Sequence, residues 1–141
     1  MGMRMTICTW SDHDELQELI EGEGEADDPE AMAELGKAWE ALHYVLTGGD
    51  RDSTQLPWGF LHATDFGPSG VFDPDQTRRI AAALQGLGVD DLEARCDEAA
   101  LEAADLYGPT EPEVVAGAYE EARALVLEAA EEGLGLLVYV G

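Results

Sequence analysis

The chain has 141 residues, 45% of them hydrophobic, which suits one domain with a core of its own, spanning 1–141. Thirty-one acidic side chains face seven Lys and Arg, a net charge of −24. Such a surface repels nucleic-acid phosphates and anionic membranes, so neither is an expected partner. It suits a basic protein partner, or it serves solubility alone. Two cysteines, Cys8 and Cys96, stand far apart in no motif, which points to a reducing cytoplasm.

No apolar run in the sequence approaches the roughly 20 residues that cross a bilayer, and the first residues, MGMRMTICTW, show no signal-peptide cleavage pattern. Gly2 and Thr6 fit a myristoylation pattern, but the alternation of Met3, Met5 and Ile7 with Arg4, Thr6 and Cys8 predicts a strand. Ser11 with Asp14 reads as a capping box opening a helix whose inner face is Leu16, Leu19 and Ile20. EGEGEADD then reads as a loop. Asp28-Pro29 predicts a second helix that Gly36 breaks or bends and Gly48-Gly49 ends. On a wheel of that helix, Leu35, Ala38, Trp39, Leu42, Val45 and Leu46 share one arc, with His43 at its edge.

Residues 50–70 are the least regular. Trp58, Phe60, His62, Thr64 and Phe66 share one parity, which permits a strand. Asp73-Pro74 with Gln76 is a capping box and first-turn proline, followed by Ile80, Leu84 and Leu87 at helical spacing. Asp90 and Asp97 read as caps of two short helices, 91–96 and 98–106. Thr110 with Glu113 reads as the cap of the longest helix. Its buried stripe is Val115, Ala118, Tyr119, Ala122, Leu125, Val126 and Ala129, and Gly133 stops it. LGLLVYV closes the chain as a strand covered on both faces. The two apolar ends predict a fold of mixed α/β (α+β) class. One small mixed sheet contains both terminal strands and is covered by helices in a sandwich-like arrangement.

Several segments resemble a known family. KAWEALHYVLTG is similar to the D-K-A-W-H-A-L-H-[YF]-L-L-T-G signature of the YfbM-like family, small bacterial proteins of unassigned function. FDPDQTRRIAAAL, LEARCDEAALEAADLY and AAEEGLGLLVYV resemble later family segments in the same order, and MGM resembles its start. Gly36, Glu40 and Leu101 depart from residues frequent there, and with Glu40 a His-x-x-His metal pair on that helix is absent. The resemblance implies a mixed sheet sandwiched by helices and carries no catalytic residue.

Chemical motifs are sparse. The three histidines, His13, His43 and His62, show no metal-ligand spacing, and neither H-E-x-x-H nor C-x-x-C occurs, so no metal or cofactor is expected. No phosphate loop, nucleophile elbow or EF-hand loop is present. Cys8 has no cationic neighbour in sequence and reads as a small buried hydrophobe. The stretch LPWGFLH can form a core plug or a binding rim. A ligand site, if one exists, gathers Trp39, His43, Trp58, His62 and Asp65; the competing reading makes Trp39 and His43 plain core. The leading expectation is a non-enzymatic module that binds a basic protein, of an inhibitor or immunity type. The alternative is a small-molecule binder or enzyme at those five residues.

Overall fold

The computed structural model describes residues 4–20, 32–49, 55, 58–62, 67–104 and 110–140. Four strands form one sheet, β1 (Met5–Trp10), β2 (Met32–Gly36), β3 (Gly67–Phe72) and β4 (Gly135–Val140), in the order β2-β1-β4-β3. The six helices among these residues are α1 (His13–Ile20), α2 (Trp39–Leu46), α3 (Pro74–Gln85), α4 (Val89–Arg95), α5 (Glu98–Ala103) and α6 (Pro112–Glu132). A 3-10 turn spans Trp58–Leu61.

The two terminal strands pair directly and form the middle of the sheet. Met5, Ile7 and Thr9 lie opposite Val140, Val138 and Leu136. Side chains alternate across a strand, so Met5, Ile7, Leu136, Val138 and Val140 share the face that α2, α3, α4 and α6 cover. On the other face Trp10 and Leu137 pack with Leu16 of α1. Both faces of β4 are therefore covered, which explains its nearly continuous apolar run. All three described pairings are antiparallel, so the mixture in this fold is of helices with strands rather than of strand directions.

The edge strands depart from expectation. Residues 32–36 form β2 beside β1 rather than the start of a helix. Ala33 and Leu35 point into the core and Glu34 points out, a two-residue alternation set by pairing. Leu35 therefore reaches the core from a strand, and Gly36, at φ 57, turns the chain toward α2. The expected strand over Trp58–Phe66 begins instead as a 3-10 turn at 58–61; residues 63–66 lie outside the described residues, and β3 is described from Gly67. β3 holds Pro68, which an edge tolerates because a missing N–H there breaks no second ladder.

Helix starts are partly as read. Asp73 accepts from Gln76 N and Gln76 returns the bond, with Pro74 in the first turn, so that capping box is real. Asp97 caps α5 through Ala99 N and Ala100 N. The α1 cap is Asp12 rather than Ser11: Asp12 Oδ1 accepts from Glu15 N at 2.8 Å, while Ser11 donates to the Glu15 carboxylate. α4 starts after Gly88 rather than Asp90. α6 starts after Glu111, because Pro112 suits the first helical position, and Thr110 lies one residue too early to cap it. The seven residues expected on the α6 stripe are all buried, and Gly133 ends the helix at φ 73.

α6 also holds the end of α3. Tyr119 is fully buried, and its hydroxyl donates to Leu87 O at 2.7 Å and Leu84 O at 3.4 Å. Arg123 Nε donates to Leu84 O at 2.9 Å. Leu84 O, which also accepts from Leu87 N at 3.1 Å, and Leu87 O, two residues past the helix, are thereby tied to α6. Tyr119→Phe should cost about 1–2 kcal/mol, because Leu87 O loses its short bond in a site closed to water. Urea denaturation checks this, and an unchanged midpoint would remove the tie from the account.

Candidate functional site

Of the five residues expected to form a ligand site, four lie among the described residues and Asp65 lies outside them. Trp39 and His43 stand one turn apart on α2 and are buried, at 5% and 3% exposure. Trp39 belongs to the main core. Trp58, in the 3-10 turn, packs half-buried against the margin of that core. His62 follows the turn and is half-buried. The His43 and His62 rings stand 5.7 Å apart between centroids, tilted by 60°. The structure thus brings the two imidazoles together, while Trp39 fills the interior beside them.

The end of α2 explains why His43 sits so deep. Ala41, Leu42, Val45 and Leu46 are all buried, so this short helix is inserted between α6 and the 3-10 turn. Thr47 closes it by donating its N–H and hydroxyl to His43 O, at 3.0 and 2.9 Å. Gly48 and Gly49, at φ 70 and 101, then carry the chain away.

Two open clefts lined by described residues lie elsewhere. One, of about 530 Å³, runs between the end of α2 and the α4–α5 elbow, with Tyr44, Leu46, Thr47, Arg95, Asp97 and Leu101 among its walls. Arg95 is exposed there, whereas the Asp97 carboxylate is occupied in capping α5. The other, also about 530 Å³, is a groove between β2 and α6. Met32, Ala33 and Leu125 give it an apolar floor; Glu34, Glu121 and Glu128 give it three carboxylates, and among the described residues no cationic side chain lines it.

The remaining reactive groups are quiet. Burial pushes the Cys8 thiol up from its ordinary value, and burial with the nearby Glu93 carboxylate does the same to Cys96. Both thiols are therefore protonated at neutral pH and poor nucleophiles. Burial also raises the Tyr119 phenol, against the lowering effect of Arg123. Among the described residues no group of three or more His, Cys, Asp and Glu has an arrangement that holds a metal ion. None of their helices is long and apolar enough to cross a membrane.

Reading the sequence found the histidines but missed both clefts. The signal for the groove was Glu121 and Glu128, two turns apart on the flank of α6 beside the buried Leu125. Nothing local marks that face as the wall of a groove, because its other wall comes from β2.

The architecture is that of a small α/β domain built on a four-stranded antiparallel sheet, with one helix on one face and the other helical layer on the opposite face. The chain belongs to the DUF1877 family, a domain of unknown function, whose model matches residues 8–139. The fold is similar to the crystal structure of YfbM, a protein of unknown function from Escherichia coli. The TM-score is 0.70 at 18% identity, over 99% of this chain and 100% of that one. No curated protein sequence matches significantly.

Proposed function

We propose that this chain is a non-enzymatic bacterial cytoplasmic module that binds another protein through a basic face of that partner, in the manner of an inhibitor or immunity protein. The observation that carries this reading is the charge: 31 acidic against seven basic side chains, net −24. A field of that sign speeds encounter with basic surfaces and disfavours acidic ones. The buried Trp39 and His43 and the protonated thiols supply no exposed nucleophile or base for chemistry. Isolation of complexes from native extract tests the proposal. A stoichiometric partner with a net positive face, released as salt rises, is expected. A partner held equally at all salt concentrations, or the absence of any basic partner, overturns it.

A second reading rests on the His43–His62 contact beside half-buried Trp58. Two imidazoles at one margin of the core suit a small polar ligand. A ligand found by thermal-shift screening, and lost in a folded His62→Ala variant, would favour it over protein binding.

The same charge acts on stability. Arg78 pairs with Asp75, but both side chains are exposed, and an exposed pair of this kind offsets little of the repulsion. The melting temperature should rise by several degrees between about 10 mM and about 300 mM monovalent salt, as the screening length shrinks below typical charge separations. A flat or falling melting temperature would show that the carboxylates do not strain the fold.

A further inference from the structure

We infer that the groove between β2 and α6 is where the basic partner docks, and that its occupant is an extended segment that adds as a strand to β2 and carries Lys or Arg. This rests on the protein-binding reading above and adds to it a place and a shape.

Three observations converge. β2 is the outer strand of the described sheet, with β1 on one side, so alternate backbone N–H and C=O groups of Met32–Gly36 face away from the ladder. Among the described residues, the space where this edge meets α6 is an open groove of about 530 Å³. The lining charge is of one sign, from Glu34 on the strand and Glu121 and Glu128 on the helix. The charge therefore flanks the groove from both walls, and one of those walls, β2, offers main-chain pairing.

The spacing selects a peptide over an ion. Glu121 and Glu128 are seven residues apart, about 10.5 Å along the helix, and among the described residues no acidic group is arranged to hold a metal. In an extended peptide, side chains on one face recur about every 6.6–6.8 Å. Two Lys or Arg residues two or four positions apart reach both carboxylates with their flexible stems. Leu125, 6% exposed at the base of the groove, and half-buried Met32 give a seat to an apolar side chain between them. Main-chain bonds supply attachment and side-chain charge supplies choice, the division of labour seen when peptides add to sheet edges.

The probe is an eight-residue peptide alternating Lys and Val. Its control is the same peptide N-methylated at every second residue, which keeps the charge and removes donors on one edge. Titration calorimetry compares the wild-type chain with Glu121→Gln/Glu128→Gln and with Glu131→Gln/Glu132→Gln, which removes the same charge from the exposed end of the same helix. The groove pair should weaken binding about tenfold and the control pair no more than about twofold, a difference of roughly 1 kcal/mol. The N-methylated peptide should bind at least about tenfold more weakly than its parent, and amide exchange at 32–36 should slow only with the parent.

Equal weakening by the two Gln pairs, or equal binding of the two peptides, overturns the groove and leaves only diffuse charge attraction. A basic partner from native extract that binds the wild-type chain and Glu121→Gln/Glu128→Gln alike also overturns the groove, yet leaves the protein-binding reading standing. The absence of any salt-sensitive basic partner defeats that broader reading instead.

Discussion

Trp39→Ala should lower the free energy of unfolding by about 3–5 kcal/mol, close to the whole stability of a domain at the lower end of the usual 5–15 kcal/mol. Trp39 is the first residue of α2 and is 5% exposed, within the same core as Leu42, Leu46, Phe60 and Leu61. Burying an indole removes a large apolar area from water, and truncation forfeits that transfer energy. It also leaves a cavity that α2 cannot collapse into, because α6 and the 3-10 turn hold it from both sides. α2 has no side-chain N-cap to hold its start, so packing is what keeps that turn in place. Urea denaturation followed by circular dichroism measures the loss. A soluble variant that melts cooperatively at the wild-type midpoint would show the indole to be dispensable to the core and would reopen it as a ligand surface.

That result bears on how much of the molecule was legible in its residues. α3 and α6 were, because their signals are local: a capping box at Asp73 and Gln76, and a stripe from Val115 to Ala129 that repeats at helical spacing. β1 and β4 were, the first from the alternation of Met5 and Ile7 with Thr6 and Cys8, the second from an apolar run that demands cover on both faces. β2 was not. Leu35 falls on a helical arc with Ala38, Trp39 and Leu42 as readily as on a strand face with Ala33, and pairing with β1 decides between them. β3, GPSGVF, carries little intrinsic strand preference and is a strand because β4 stands beside it. The candidate site divides the same way. The depth of Trp39 and His43 follows from the α2 stripe, whereas the meeting of His43 with His62 depends on how the 3-10 turn lies against α2. The β2–α6 groove was invisible for the reason β2 was, since both its walls become neighbours only through tertiary packing.

The second large effect is expected from adding one methyl group. Gly135→Ala should destabilise the fold by about 3 kcal/mol, the upper end of ordinary overpacking costs. Gly135 opens β4 directly opposite Trp10 of β1. A Cβ there would stand 2.6 Å from the Phe72 carbonyl oxygen and press still closer on the Trp10 ring. Neither neighbour is free to yield. Phe72 is held at that point by the β3–β4 ladder, and the indole is pinned by its Nε1 bond to Leu136 O at 3.1 Å, in a pocket shared with Leu16 and Leu137. Relief would break that bond or part the central strands. The same substitution at Gly117 should have the opposite sign. Gly117 lies on the exposed side of α6 with nothing within 4 Å of an added Cβ, so alanine there should stabilise by roughly 0.5–1 kcal/mol through helix propensity alone. Thermal and urea melts of the two variants side by side separate steric space from backbone preference. If Gly135→Ala melted with the wild type, the tight seating of Trp10 on β4 would be disproved, and with it the account of why the layer under α1 tolerates no side chain at that position.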